Sequence, residues 1–173
     1  MHYIYDLFWR EMIVHKIHLD EIEKSQYQLV AIHTSLEEYR LAYYINQKLP
    51  INLSKCKNEI QIKSKEGETQ FARYIYEDEK NGFFWNLIQN KNEITVENKK
   101  DNLGLFTNTS NSFATKVYLL PEFKNVDYLL KIENTEDALE IPKITSLLNS
   151  IERVSTVYVI ENENIKSKNN LIF

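Results

Sequence analysis

The chain is poor in the residues on which several familiar chemistries depend. Its 173 residues include a single cysteine, Cys56, which excludes an internal disulfide and any zinc site of clustered cysteines. Three glycines, Gly67, Gly82 and Gly104, are too few for a phosphate-cradling loop, which needs several for close backbone approach. No stretch approaches the ~18 consecutive apolar residues of a membrane span. Excess charge is missing too: 21 Lys plus Arg face 25 Asp plus Glu, a formal −4. That balance removes the usual electrostatic argument for binding nucleic acid or an anionic membrane. Arginine occurs only at Arg10, Arg40, Arg73 and Arg153 and alanine is scarce, whereas Lys, Asn and Ile abound. AT-rich coding produces this bias, so lysine and asparagine carry no message by number alone.

What is present is ordinary for a globular protein: 43% hydrophobic and 27% charged residues. One domain is expected, since a chain of ~150 residues buries roughly 70% of its unfolded surface. These features point to a soluble, cytosolic protein with no cofactor and no metal. Residues 1–11 mix Tyr3, Ile4, Leu7, Phe8 and Trp9 with Asp6, Arg10 and Glu11, which is not the pattern of a secretory signal. Met12 is an alternative start, making 1–11 an N-terminal extension. The domain is then 12–161, and the polar stretch 162–173 is expected to be a flexible tail.

Periodicity places the elements. Residues 12–19 alternate as a strand. Residues 26–33 are apolar on both faces, which predicts a central strand. Ser35 and Glu38 then have the spacing of a capping box, opening a helix over 36–49 that Pro50 ends. On that helix Leu36, Tyr39, Leu41, Ala42, Tyr43, Ile45 and Leu49 share the broad apolar arc, with Tyr44 on the polar one. Residues 51–63, with spaced lysines, suggest an exposed edge. Residues 71–77 and 83–90 form a hairpin through Asn81-Gly82, a pair that favours positive backbone angles. Periodicity is lost over 91–116, where 107–114 is too polar to order itself and is expected to be a mobile loop. Strands return at 117–120 and 126–133, with Val126, Tyr128, Leu130 and Ile132 on one face. A helix starting near Pro142 carries the stripe Ile144, Leu147, Leu148 and Ile151, and a strand follows over 153–160. Strand–helix–strand thus occurs twice. The expected fold is α+β: a ferredoxin-like split β-α-β sandwich with an inserted β-hairpin and a mobile loop.

The segment Leu120-Pro121-Glu122-Phe123-Lys124-Asn125-Val126-Asp127-Tyr128 resembles the signature of the bacterial IPExxxVDY family, with Leu120 in place of Ile. Residues 12–19, 32–41 and 76–91 are similar in character, so the resemblance covers about 12–161 of this chain. It implies membership of that family and no particular activity.

Candidate chemistry is sparse. His33 and Ser35 sit where a strand meets a helix start, a place suited to a small anion, although the favoured reading is that Ser35 only caps and His33 only packs or hydrogen-bonds. Glu122 and Asp127 flank the turn after Pro121 and offer carboxylates for a ligand. Turn architecture is the competing reading. Asp127 and Glu133 share a strand face but stand roughly 20 Å apart at ~3.3 Å per residue. His15 and His18 point oppositely on a strand, which argues against a metal. Cys56 is flanked by Lys55 and Lys57, and reads as a free thiol of no special reactivity. Tyr74, Tyr76, Phe83 and Trp85 crowd one hairpin, as core or as an interface. The acidic turn of Glu77, Asp78 and Glu79 weighs against RNA. No catalytic residue stands out. The favoured expectation is a non-enzymatic protein-binding or regulatory module whose partner is another protein or a second copy. The alternative is a small-ligand or nucleotide-binding protein, or an enzyme, using His33, Ser35, Glu122 and Asp127.

Overall fold

The computed structural model describes residues 27–63, 67–97, 112–133 and 140–173. The expected extension 1–11, the strand 12–19 and residues 107–111 of the expected loop lie outside them.

The fold is α+β, built on a six-stranded antiparallel sheet. β1 (Tyr27–Thr34) leads to helix α1 (Glu38–Lys48), and α1 to the short β2 (Ser54–Lys55). β3 (Ile60–Lys63) and β4 (Glu68–Phe71) pair as a separate hairpin. β5 (Arg73–Asp78) and β6 (Phe83–Gln89) return to the main sheet, and β7 (Lys91–Glu97) with β8 (Ser112–Tyr118) makes a third sheet. β9 (Tyr128–Glu133), α2 (Ile141–Asn149) and β10 (Val154–Ile160) complete the regular elements. The main sheet runs β10-β1-β9-β6-β5-β2. β9 and β10 each pair antiparallel with β1, so they are parallel to each other and α2 carries the chain across β1. β1 and β6 flank β9 in the same manner.

β1 occupies the interior because its sequence suits burial on both sides. Leu29, Val30, Ala31 and Ile32 are all fully buried. Val30 and Ile32 face the helices, together with Trp85, Leu87, Leu130, Ile132 and Val157, and meet Leu41, Ala42 and Ile45 of α1 and Ile144 and Leu148 of α2. Leu29 and Ala31 face the other way, into a second core with Phe71, Ile88, Leu119, Leu120, Leu129, Ile165 and Leu171. The sheet is therefore covered on both faces, by helices on one and by the hairpins and the 162–173 segment on the other.

Several expectations are corrected by these contacts. The segment 162–173 is not a flexible tail: Ile165 and Leu171 are buried in the second core, because that sheet face needs an apolar cover and these side chains supply it. Residues 91–97 and 112–116, expected without regular structure, form a seven-position ladder that also takes in 117 and 118 of the expected strand 117–120; this ladder and the burial of Val117 replace the missing alternation. The α1 start uses Glu37 as N-cap with no side-chain bond, so Ser35 and Glu38 form no capping box. The Thr34 hydroxyl accepts the Leu36 amide instead, at 3.1 Å. Leu49 is extended (φ −117°, ψ 149°) ahead of Pro50, as the proline requires. The apolar arc of α1 is narrower than the helical wheel suggests: Tyr39 and Tyr43 are exposed, and Tyr44 packs on the core. Residues 51–63 divide between two sheets. Val126 joins the second core, opposite Tyr128, Leu130 and Ile132.

Candidate functional site

The four polar candidates do not converge. His33 and Ser35 sit at the end of β1, and Asp127 reaches the same place through the residue between them. Its Oδ2 accepts the Thr34 amide at 2.9 Å while its Oδ1 takes the Lys91 ammonium at 2.6 Å. The carboxylate is thus already occupied by a backbone donor and a cation. Thr34 Oγ1 donates to the Arg153 carbonyl at 2.9 Å, and Tyr128 donates its hydroxyl to the Leu36 carbonyl at 3.0 Å. Burial raises the Tyr128 pKa, and nearby Glu38 and Asp127 add to the effect, so the phenol stays a donor. These bonds lock the β1–α1 turn against the start of β9 and the start of β10.

Glu122 belongs elsewhere. Its Oε1 accepts the Lys166 and Ser167 amides at 2.7 and 2.8 Å, and its Oε2 accepts the Ser167 hydroxyl at 3.0 Å. Burial pushes this carboxyl up, but the hydrogen bonds from Ser167 and Lys166 outweigh it and hold the pKa below its ordinary value. The residue anchors the 162–173 segment. Asn170 adds a bond to the Leu119 carbonyl at 2.7 Å, and buried Lys131 donates to the Leu171 carbonyl at 2.9 Å. Lys131 also pairs with Glu133 at 2.8 Å and lies 4.9 Å from the centre of the Phe173 ring.

Sequence reasoning missed the residue that shapes the Leu120–Tyr128 motif. Asn90 is fully buried. Its Nδ2 donates to the Phe123 and Val126 carbonyls at 2.9 and 3.0 Å, and its Oδ1 accepts the Leu120 amide at 2.9 Å. Its own amide donates to the Asp127 carbonyl at 2.9 Å. A single asparagine after a strand has no periodicity to betray it. Lys131 did leave a signal, as a cation at an inward position of an apolar strand.

The aromatic hairpin is core. Trp85 is 4% exposed and Tyr74 7%, and Tyr76 and Phe83 pack against the same helix-side cluster. As a free interface these four are corrected, because α1 covers the sheet face on which alternation places them. Phe84, on the opposite side, is more exposed at 39%.

The sheet edges differ sharply. β2 is two residues long and carries Lys55, a blunted edge. β10 is seven residues, Val-Ser-Thr-Val-Tyr-Val-Ile, without a charge. Its register with β1 shifts between His33 and Thr34, where Ser155 is the extra residue. Backbone directions along the edge follow from two contacts. The Thr34 amide faces Asp127 on the β9 side, whereas the His33 carbonyl accepts the Ser155 hydroxyl on the β10 side at 3.0 Å. Residues of a strand alternate in this respect, so Leu29, Ala31 and His33 bond to their partners Ile160, Tyr158 and Thr156. Val157 and Val159 therefore turn their amides and carbonyls away from β1. The Val157 carbonyl receives a long 3.5 Å contact from Asn149 Nδ2. Among the described residues no strand pairs with this edge. Tyr158, 39% exposed, stacks on His33 beside it, with ring centres 5.6 Å apart and an interplanar angle of 26°.

Other features offer less. A polar depression of about 420 Å³ is lined by Lys57, Asn58, Glu59, Gln61 and Gln70, away from all four polar candidates. Cys56 accepts a long 3.6 Å bond from Arg73. Among the described residues no group of three or more His, Cys, Asp or Glu is placed to hold a metal, and no helix is long and apolar enough to cross a membrane. Comparison with known proteins finds no matching family model, no similar curated protein and no similar solved structure.

Proposed function

We propose that this chain is a non-enzymatic, cytosolic protein-binding module that takes an extended segment of a partner as an additional strand at β10. The observation that carries the reading is the uncharged seven-residue edge strand with backbone groups of Val157 and Val159 turned outward. Such an edge is a template for another strand, and proteins that do not use it blunt it with lysine, proline or brevity, as β2 is blunted. On the same footing, the central strands β10-β1-β9-β6 with α1 and α2 are read as a ferredoxin-like split β-α-β core, and the Leu120–Tyr128 motif as that of the IPExxxVDY family. The first of these is supported by the parallel pair β9 and β10 joined through α2 across β1.

A ligand site built from His33, Ser35, Glu122 and Asp127 is less well supported, since both carboxylates already hold internal donors. Affinity capture from the native cell tests the edge reading, with wild type compared against Val159→Pro. Proline at that position removes one outward amide and no bond to β1. Partners held by the wild type should be lost from the variant. Equal recovery by both overturns the proposal.

A further inference from the structure

Resting on the edge-binding reading, we propose that the strand added at β10 is β10 of a second copy, antiparallel, with Tyr158 facing Tyr158 across the two-fold axis.

The register follows from which groups point outward. In a two-fold antiparallel pair, directly opposed residues must lie on the same face of the sheet, so a residue near the middle opposes itself. Ser155 interrupts the regular strand at one end, leaving 156–160 as the uninterrupted stretch. Its centre is Tyr158. This register opposes Val157 to Val159 of the second copy, and Val159 to Val157, so every outward amide and carbonyl of the four residues finds a partner. The Asn149 side chain, exposed and held by one long contact, is free to turn aside.

Side chains agree with the backbone. Tyr158 already stacks on His33, so the two-fold axis extends one stacked pair into a row of four rings on the face opposite the helices. Aromatic cross-strand pairs are among the favourable ones. Charge favours the antiparallel sense: Glu161 and Glu163 follow β10, whereas Glu152 and Arg153 precede it. Antiparallel docking sets each acidic end against the end that carries Arg153. A parallel arrangement superposes Glu161 and Glu163 on their copies. The product is one continuous twelve-stranded sheet.

Sedimentation or light scattering should give twice the chain mass for the wild type, and the single-chain mass for Val159→Pro and for Tyr158→Lys, with unchanged circular dichroism. Tyr158 is exposed, so its lysine variant retains the fold if the proline variant does not. Geometry is tested by disulfide trapping in a Cys56→Ser background. Opposed Cα atoms at a pair of this kind lie about 4.5 Å apart, within disulfide reach. Tyr158→Cys should cross-link to itself, and Thr156→Cys, which opposes Ile160, should not. A monomeric wild type overturns self-pairing. If Val159→Pro still abolishes capture of another protein, the edge-binding reading survives that result. A dimer untouched by both edge substitutions overturns self-pairing through β10 as well, and equal capture by Val159→Pro then removes the wider reading with it.

Discussion

Replacing Leu171 by alanine asks whether residues 162–173 belong to the folded core. Leu171 is 2% exposed among Leu119, Leu120, Leu129 and Ile165, and its carbonyl accepts the Lys131 ammonium at 2.9 Å. Truncation removes apolar surface worth ~0.8 kcal/mol per methylene, and the cavity left behind raises the loss for Leu→Ala to about 2–5 kcal/mol. The site lies near one end of the described chain, where collapse is easier, so the lower half of that range is expected, about 3 kcal/mol. For a chain of this size that corresponds to a fall in Tm of about 6–12 °C. Urea titration followed by circular dichroism is the assay, and the midpoint should drop with little change in slope. Ile172, 75% exposed next door, is the control, and Ile172→Ala should stay within about 0.5 kcal/mol. Equal, negligible losses for both variants refute the argument and return the segment to a frayed tail.

Three further outcomes follow from the same contacts. Glu122→Gln should lower stability near neutrality by about 1–2 kcal/mol, since charge-assisted bonds from partly exposed donors weaken. Because the folded pKa lies below the ordinary 4.5, this contribution is complete above that value and fades as pH falls through the folded one. The gap between variant and wild type should close on acidification, and a gap constant with pH contradicts it. Asp127→Ala should cost about 2 kcal/mol by leaving the Thr34 amide without its acceptor and the Lys91 ammonium with the Asn125 carbonyl alone. Hydrogen exchange at Thr34 should accelerate, and unchanged protection there counts against the lock. Trp85→Ala should lose about 3–5 kcal/mol as a core truncation, measured by thermal melting beside Phe84→Ala. A Trp85 variant as stable as wild type restores the ring to the surface.

Much of this architecture was legible before any coordinate. The unbroken apolar stretch at 29–32 marks β1 as interior, because only a strand covered on both sides tolerates it. Asn81-Gly82 marks the β5–β6 turn, where Gly82 has φ 72°. Pro50 and Pro142 mark a helix end and a helix start. Motif reading failed where a side chain's partner is remote in sequence. Ser35 and Glu38 have the spacing of a capping box, yet Glu37 is the N-cap with no side-chain bond, and the turn before the helix is held by Thr34 through a bond to residue 153. Glu122 and Asp127 read as a pair, but their carboxylates serve segments 45 and 93 residues away.

Local chemistry by itself determined β1, β5, β6, β9 and β10, both helices, the stop at Pro50 and the Asn81-Gly82 turn, since these depend on backbone geometry and near-neighbour periodicity. Tertiary structure alone decided which face of each strand is covered, where the carboxylates spend their charge, and which edge no other described strand pairs with. The reason is physical. Burial and hydrogen-bond satisfaction are properties of surfaces brought together from distant parts of the chain, and periodicity shows that a face is apolar without showing what will lie against it.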